Sequence, residues 1–243
     1  MNLLVTAGNT QTPIDRVRCI TNVFTGRTGA QIAARAYDRS HAVTLLTSHP
    51  DAAEAIPPQR PRAEPSWHVH TYRTFEDLDR HMAGLIGGGG FDAVIHCAAV
   101  NDYHVTGVFA PAPGTTFDPV ELAWHADGPA RVVDTLAGKV KSHHPELWLR
   151  LTPAPKLVDK VRTTWGFRGI LVKFKLEVGA TEEALLAIAE KSRVQSAADF
   201  MVANTLEGAA DWALIGPEYV RVLRAQLADE LLDRIEARAA RPA

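Results

Sequence analysis

Cysteine is nearly absent from this chain: Cys19 and Cys97 are the two among 243 residues. Two cysteines build no disulfide framework, so a reducing compartment is expected. Neither charge sign prevails, with 26 Lys and Arg against 28 Asp and Glu, which argues against a protein that coats a polyanion. Long apolar stretches are missing too. No run reaches the ~18 residues of a spanning helix, and Leu3–Val5 is too short for a signal peptide core. The expectation is a cytoplasmic protein with no membrane and no nucleic acid among its partners. Trp124, Trp148, Trp165 and Trp212 are too scattered to suggest base stacking. Both common phosphate fingerprints are lacking: no G-x-G-x-x-G follows the first apolar run, and G-x-x-x-x-G-K-[ST] occurs nowhere. With no Tyr-x-x-x-Lys pair either, a nicotinamide-dependent reductase remains only as a distant alternative.

What is present gathers in the opening stretch, Asn2 to Ala34. Leu3-Leu4-Val5 reads as a strand buried on both faces, and Ala7-Gly8-Asn9-Thr10 breaks it. A polar loop carries Asp15, Arg16, Arg18 and Asn22, and Gly26 and Gly29 stand where the pattern turns helical. Ala30, Ala33, Ala34 and Tyr37 form the expected inner stripe. Strand, glycine-bearing loop and helix start is a way of holding phosphates, because the helix start presents unpaired N–H groups.

Farther on, strands are expected at His41–Ser48, Trp67–Tyr72, Phe91–Val100, Leu147–Leu151, Gly169–Val178, Asp199–Asn204, Trp212–Ile215 and Tyr219–Leu223. Helical spacing runs through Phe75–Ile86, from Lys156 to about Trp165, after Thr181, and through Leu227, Leu231, Leu232 and Ile235. Pro50 to Pro65 reads as surface loop, and Cys19 is expected to pack beneath its own loop. The alternation predicts a single α/β domain over 1–243, built on a doubly wound, mostly parallel Rossmann-like sheet with a short antiparallel edge. Residues 104–138, with four prolines and four glycines from Val105 to Gly138, are expected to be an irregular insertion. That insertion would act as a flap or dimer arm, with short helices possible at Glu121–Trp124 or Ala130–Leu136.

Several of these stretches resemble phosphopantothenoylcysteine synthetase, a ligase family of coenzyme A biosynthesis. Val5-Thr6-Ala7-Gly8-Asn9-Thr10 is similar to its V-T-[AS]-G-G-T. Val17-Arg18-Cys19-Ile20-Thr21-Asn22-Val23-Phe24-Thr25-Gly26-Arg27-Thr28-Gly29 is similar to its V-R-x-[IL]-[ST]-N-x-[ST]-[ST]-G-x-x-G. Asn9 and Phe24 depart from that pattern. Ala98-Ala99-Val100-Asn101-Asp102-Tyr103, Lys139-Val140-Lys141-Ser142, Phe174-Lys175-Leu176-Glu177 and Asp199–Asn204 resemble four further family elements. Where fused bacterial members carry phosphate-binding lysines, this chain holds Ser192 and Ser196, with Lys191 and Arg193 adjacent. The resemblance includes no flavin-binding half, so it implies a stand-alone synthetase.

That resemblance implies activation of the 4′-phosphopantothenate carboxylate by CTP or ATP as an acyl-nucleotide, then transfer to the amine of cysteine, with magnesium on the phosphates and a homodimer as the working unit. It implies nucleotide contacts for Gly8, Thr25, Gly26, Gly29, Ala98, Ala99, Asp102, Phe174 and Asn204. Asn22 would hold the acyl oxygen, Arg18 the substrate phosphate or carboxylate, and Lys139 a nucleotide phosphate. No protein ligand set for a metal is legible. Plain readings stand beside these: Asn22 as a helix cap, Asp102 as a turn residue, Lys139 as a solvated lysine, Phe174 as strand core. The competing function is a family paralogue that binds a nucleotide or acyl phosphate without the synthetase reaction.

Overall fold

The computed structural model describes residues 1–59, 66–135 and 138–241. In chain order the strands are β1 (Asn2–Ala7), β2 (Gln11–Pro13), β3 (Cys19–Thr21), β4 (Ala42–Thr47), β5 (Trp67–Thr71), β6 (Ala93–His96), β7 (Tyr103–Pro111) and β8 (Thr115–Asp118). They continue with β9 (Ala123–Ala126), β10 (Val132–Asp134), β11 (Trp148–Pro153), β12 (Ile170–Glu177), β13 (Phe200–Thr205), β14 (Trp212–Gly216) and β15 (Val220–Leu223). The helices are α1 (Arg27–Asp38), α2 (Pro50–Glu54), α3 (Phe75–Gly87), α4 (Leu157–Thr163), α5 (Glu182–Gln195) and α6 (Leu227–Ala239).

The chain divides into two compact units. The first takes Met1–Thr10, Val23–Val100 and Lys156–Ala243; the second takes Gln11–Asn22 and Asn101–Pro155.

The first unit is built on one eight-stranded sheet in the order β15-β14-β13-β12-β6-β1-β4-β5. The six strands from β13 to β5 are parallel, and β14 and β15 add an antiparallel edge. Within the parallel part the chain winds outward from β1 through β4 to β5, then returns to β6 and continues to β12 and β13. That is the doubly wound dinucleotide-fold order, and it places the topological switch between β1 and β6. α1 and α6 cover one face, where Ala33, Tyr37, Leu231 and Ile235 meet Leu3, Val5, Ile95 and Val172. On the other face Leu185 and Ala189 of α5 pack on Met201, Ala203 and Leu214. With both faces covered, β1 and β4 each bury five consecutive residues, so they read as mainly apolar runs in which Thr6, Thr44 and Thr47 are the polar members. α3 starts where Thr74 and Asp77 form a reciprocal capping box, which satisfies two N–H groups at its start.

The second unit holds only strands among the described residues. β7 is the centre of a three-stranded antiparallel sheet, β10-β7-β11, while β2–β3 and β8–β9 are two-stranded ribbons. Where an irregular insertion over 104–138 is expected, the described residues 104–135 carry four paired strands joined by turns. Pro113, Gly114 and Pro119 fall in turns, Gly107 and Pro111 lie within β7 itself, and Val105, Thr106 and Val108 favour a pleated backbone. Neither expected short helix forms. Glu121–Trp124 runs through the turn into β9, and β10 occupies the middle of Ala130–Leu136, whose last residue lies outside the described ones. Leu147–Leu151 does make a strand, but β11 joins β7 and not the doubly wound sheet.

Smaller differences follow from local chemistry. Pro50, at a helix start where its missing N–H costs nothing, opens the five-residue α2 inside the expected loop; residues 60–65 of that loop lie outside the described ones. Cys19 is exposed, because β3 pairs on one edge only and leaves all three of its residues open.

Candidate functional site

In the first unit the chain is pulled tight around the switch point. Gly8 follows β1 with φ +91°, and Gly26 caps α1 in the left-handed region at φ +80°. A Cβ on Gly26 would stand 2.2 Å from the Gly8 nitrogen, and one on Gly29 would stand 2.7 Å from the Ala7 Cβ. Only glycine lets the start of α1 lie directly on the end of β1. On the other side of the switch, Ala99 N–H donates to Gly8 O at 2.8 Å and Thr10 N–H donates to Ala99 O at 3.3 Å. Ala98 N–H donates to Thr6 Oγ1 at 3.2 Å. Gly8, Gly26, Gly29, Ala98 and Ala99 are thus brought together at the carboxyl ends of β1 and β6, where sheets of this order bind ligands. Thr25 is exposed just before the cap.

Phe174 and Asn204 lie toward the carboxyl ends of the adjacent strands β12 and β13, where Phe174 is level with Val202 and Leu176 with Asn204. Both are half-buried. Phe174 packs on the α1–α6 core, so the plain reading of it as strand core holds at least in part. The residues gathered in this unit offer glycine backbone, methyl groups, a ring and an amide, and no carboxylate. They do not make a magnesium site on their own.

Arg18, Asn22, Asp102 and Lys139 belong to the second unit. There Asp15 is the pin. Its Oδ1 accepts from Val17 N–H and Arg18 N–H, both at 2.8 Å. Its Oδ2 accepts from Arg18 Nη2 at 2.6 Å and from Val140 N–H at 3.1 Å. The Arg18 guanidinium holds the Asp15 carboxyl far below the usual carboxylate range, and the backbone N–H groups add to that. Arg18 Nη2 also donates to Val140 O at 2.7 Å, and Arg16 N–H donates to Gly138 O at 3.2 Å. Both neighbours of Lys139 are therefore fastened to the Asp15–Arg18 turn, while Lys139 itself is exposed. Two sequence-distant candidates, Arg18 and Lys139, thus share one hydrogen-bonded frame. Arg18 is already engaged there, so its guanidinium offers a ligand only its remaining N–H groups.

Asn22 is half-buried and is not the helix cap, since Gly26 holds that position. Asp102 is exposed, and its carbonyl accepts from Ala154 N–H at 2.8 Å. The neighbouring Asn101 is buried and donates to Thr12 Oγ1 at 2.9 Å and to Ile20 O at 3.1 Å, tying the β2–β3 ribbon to the start of β7.

Three features were not legible beforehand. Lys173 reaches from β12 to Ser196 Oγ at 2.6 Å and Ser192 O at 3.2 Å, and Ser196 donates to Asp159 Oδ1 at 2.6 Å. An ammonium thus sits between the two serines, while Arg193 is held by Glu190 at 2.7 and 2.8 Å. Burial depresses the Lys173 pKa. Next to Lys173 in the strand register, His96 is fully enclosed, and burial, with the Lys173 charge, pulls its pKa down to about 4. Asp118, Glu121 and His125 come within 4.8 Å of one another on the β8–β9 ribbon, an exposed grouping of a kind that is common without an ion.

The model of the DNA/pantothenate metabolism flavoprotein C-terminal domain matches residues 1–110. The coenzyme A biosynthesis bifunctional protein CoaBC of Thermococcus kodakarensis is 30% identical over 243 residues, covering 96% of this chain and 50% of the relative. Its Escherichia coli K12 counterpart is 26% identical over 204 residues, covering 84% and 41%. The chain thus spans about half the length of the curated relatives it matches. Among solved structures, the DNA/pantothenate metabolism flavoprotein of Streptococcus pneumoniae superposes with a TM-score of 0.75 at 26% identity, over 98% of this chain and 99% of that one. The switch-point glycines, the Ala98–Tyr103 element and these matches point the same way: residues 1–110 match the DNA/pantothenate metabolism flavoprotein C-terminal domain, and nearly the whole chain is similar to about half of the CoaBC protein.

Proposed function

We propose that the protein joins 4′-phosphopantothenate to cysteine at the expense of a nucleoside triphosphate, CTP or ATP. A phosphopantothenate carboxylate oxygen attacks the α-phosphorus, the bond to the bridging oxygen breaks, and pyrophosphate leaves. The cysteine amine then attacks the acyl carbon. The nucleoside monophosphate departs with the original carboxylate oxygen, and the amine proton passes to solvent.

The observation that carries this reading is the glycine-closed switch point: the start of α1 lies against the end of β1, and Ala98 and Ala99, just beyond β6, are hydrogen-bonded to the other side of that same end. Such a site lets phosphates approach the backbone closely and supplies fixed dipoles where charge develops. In the same unit Phe174 and Asn204 would contact the nucleoside; by the family resemblance, Asp102 of the second unit would accept from its hydroxyl or amide groups. Lys139 would neutralise a phosphate, Arg18 would take the substrate's phosphate or carboxylate with its free N–H groups, and Asn22 would donate to the acyl oxygen during amide formation. Magnesium would ride on the phosphates and water. The second unit leaves Val17, Val120 and Leu122 more than half exposed, which fits a second copy of the chain covering it in a homodimer. The balanced composition and the lack, among the described residues, of a helix able to cross a membrane are in keeping with a cytoplasmic enzyme.

The test is pyrophosphate release with each of four nucleoside triphosphates, with and without phosphopantothenate and cysteine. Release that requires both substrates, together with mass-spectrometric detection of the amide, is the expected result. Nucleotide binding without release would leave the paralogue reading in place.

A further inference from the structure

The segment that leads into the last helix supplies a cation that no motif marks. Arg224 begins the short 3-10 turn Arg224–Gln226, and its backbone N–H donates to Asp211 O at 2.8 Å. Its guanidinium turns inward and donates from Nη2 to the hydroxyl of Thr28, in the first turn of α1. Nearby arginines behave differently. Arg35 and Arg39 both bind the Asp229 carboxylate at 2.6 Å, and Arg39 also reaches Asp233 at 2.6 Å. Among the described residues no carboxylate pairs with Arg224; its side-chain partner is a neutral hydroxyl.

Such a guanidinium is half-buried and under-compensated. Burial pushes its pKa down, yet an arginine stays charged in proteins. A partly desolvated charge held by one neutral acceptor calls for an anion. Space for one is present. A cavity of about 410 Å³ opens beside it, lined by Thr28, Gln31, Arg35, Arg224 and Asp229 over a floor that includes Ile32 and Leu227. That volume falls within the range of small-ligand sites. The charge also reaches toward the crevice: it acts on the thiol of Cys97, the residue that follows β6 at the switch point.

We propose that Arg224, together with the Thr28 hydroxyl, binds a phosphate group of the nucleotide at the mouth of this cavity. The Thr28 oxygen occupies one guanidinium N–H and leaves further donors in a planar fork, which matches two phosphate oxygens. Having accepted from Arg224, Thr28 donates its own proton to a third. The assignment rests on the reading that the first unit binds a nucleoside triphosphate. Within that reading it names a recognition residue that lies some 200 positions beyond the glycine loop in sequence, with Thr28 as its anchor (|i−j| = 196).

The experiment is calorimetric titration of the full chain with sodium tripolyphosphate, CTP, ATP, cytidine and adenosine, using the parent, Arg224→Gln, Arg224→Lys and Thr28→Val. Arg224→Gln should weaken tripolyphosphate and the preferred triphosphate by about tenfold or more, the usual effect of losing a charge-assisted pair. Nucleoside affinity and the thermal midpoint should not move. Thr28→Val should weaken the same ligands by a few-fold. A folded Arg224→Gln protein that binds tripolyphosphate as tightly as the parent overturns the proposal. Should that variant fail to fold, Arg224→Lys, which keeps the charge and loses the fork, must show weakened binding, and parental affinity there overturns it equally. The two readings separate cleanly. Arg224-dependent tripolyphosphate binding without substrate-dependent pyrophosphate release sinks the ligase and keeps the anion site. Pyrophosphate release with unaltered affinity in Arg224→Gln does the reverse.

Discussion

The two units hold themselves together by different means. In the first, parallel strands are buried on both faces, and the side chains of β1, β4 and β6 are almost wholly removed from water. In the second, β3 and β10 are exposed along their whole length, and Val108, Ala110 and Val140 are its fully buried apolar residues among those described. What stands in for a core there is a set of polar pins, Asp15 and Asn101 above all, and the aromatic group Phe117, Trp124 and Trp148, with ring centres 4.7 to 5.3 Å apart. A core makes stability cooperative; pins make local geometry. Changes in the first unit should therefore be read as stability effects first, and changes in the second as effects on the groups it presents.

The sharpest challenge to that contrast is Asn22. Replacing it with Ala should leave unfolding almost unchanged while amide formation slows by ~10²–10³, the range for losing an oxyanion donor. Quenched reactions should then contain the acyl-nucleotide by mass spectrometry. Full cysteine ligation by the variant would remove Asn22 from the chemistry.

Acid sensitivity comes next and belongs to the first unit. His96 is held at about 4 against an ordinary 6.5, so the native state keeps it neutral while the unfolded chain takes up a proton below about 6.5. Stability should fall as pH drops through that window and level off below about 4, a loss of about 3 kcal/mol. Urea midpoints across the range should show it, and His96→Gln should flatten the slope.

A matched glycine pair tests the contrast directly. Gly26→Ala puts a Cβ 2.2 Å from the Gly8 nitrogen at φ +80°, and should cost at least ~2 kcal/mol by denaturant unfolding. Gly138→Ala, whose nearest neighbour would be the Arg16 side chain at 3.6 Å, should fall within ~0.5 kcal/mol. Equal costs would break the distinction. The smallest effect is chemical. A thiol reagent at mild pH should label the exposed Cys19 rapidly and Cys97 slowly, because burial pushes the Cys97 thiol up to about 12.

The same contrast explains what could be read from the sequence. Leu3–Ala7, Ala42–Thr47 and the stripe Ala30, Ala33, Ala34 and Tyr37 announce themselves because burial on both faces or along one stripe imposes an apolar pattern. Their order then gives the doubly wound sheet. The second unit imposes no such pattern. Its strands are short, half-open and rich in turn residues, so 104–138 reads as loop, and β11 cannot be told from a strand of the main sheet. The glycines at 8, 26 and 29 were legible as a candidate site, and the structure shows that each permits a close approach of the chain to itself that a Cβ would block. Arg224, Lys173 and His96 were not legible. Each is a single polar residue in an ordinary segment, brought into place by pairing between strands or helices far apart in sequence.

The central claim is that a carboxylate oxygen of the substrate becomes bonded to the α-phosphorus of the nucleotide. Phosphopantothenate labelled with heavy oxygen in its carboxylate, turned over once with the preferred triphosphate and cysteine, tests it most directly by mass spectrometry of the products. One heavy oxygen in the nucleoside monophosphate is the predicted result. Label in orthophosphate, beside an unlabelled nucleoside diphosphate, would show attack at the γ-phosphorus and contradict the account.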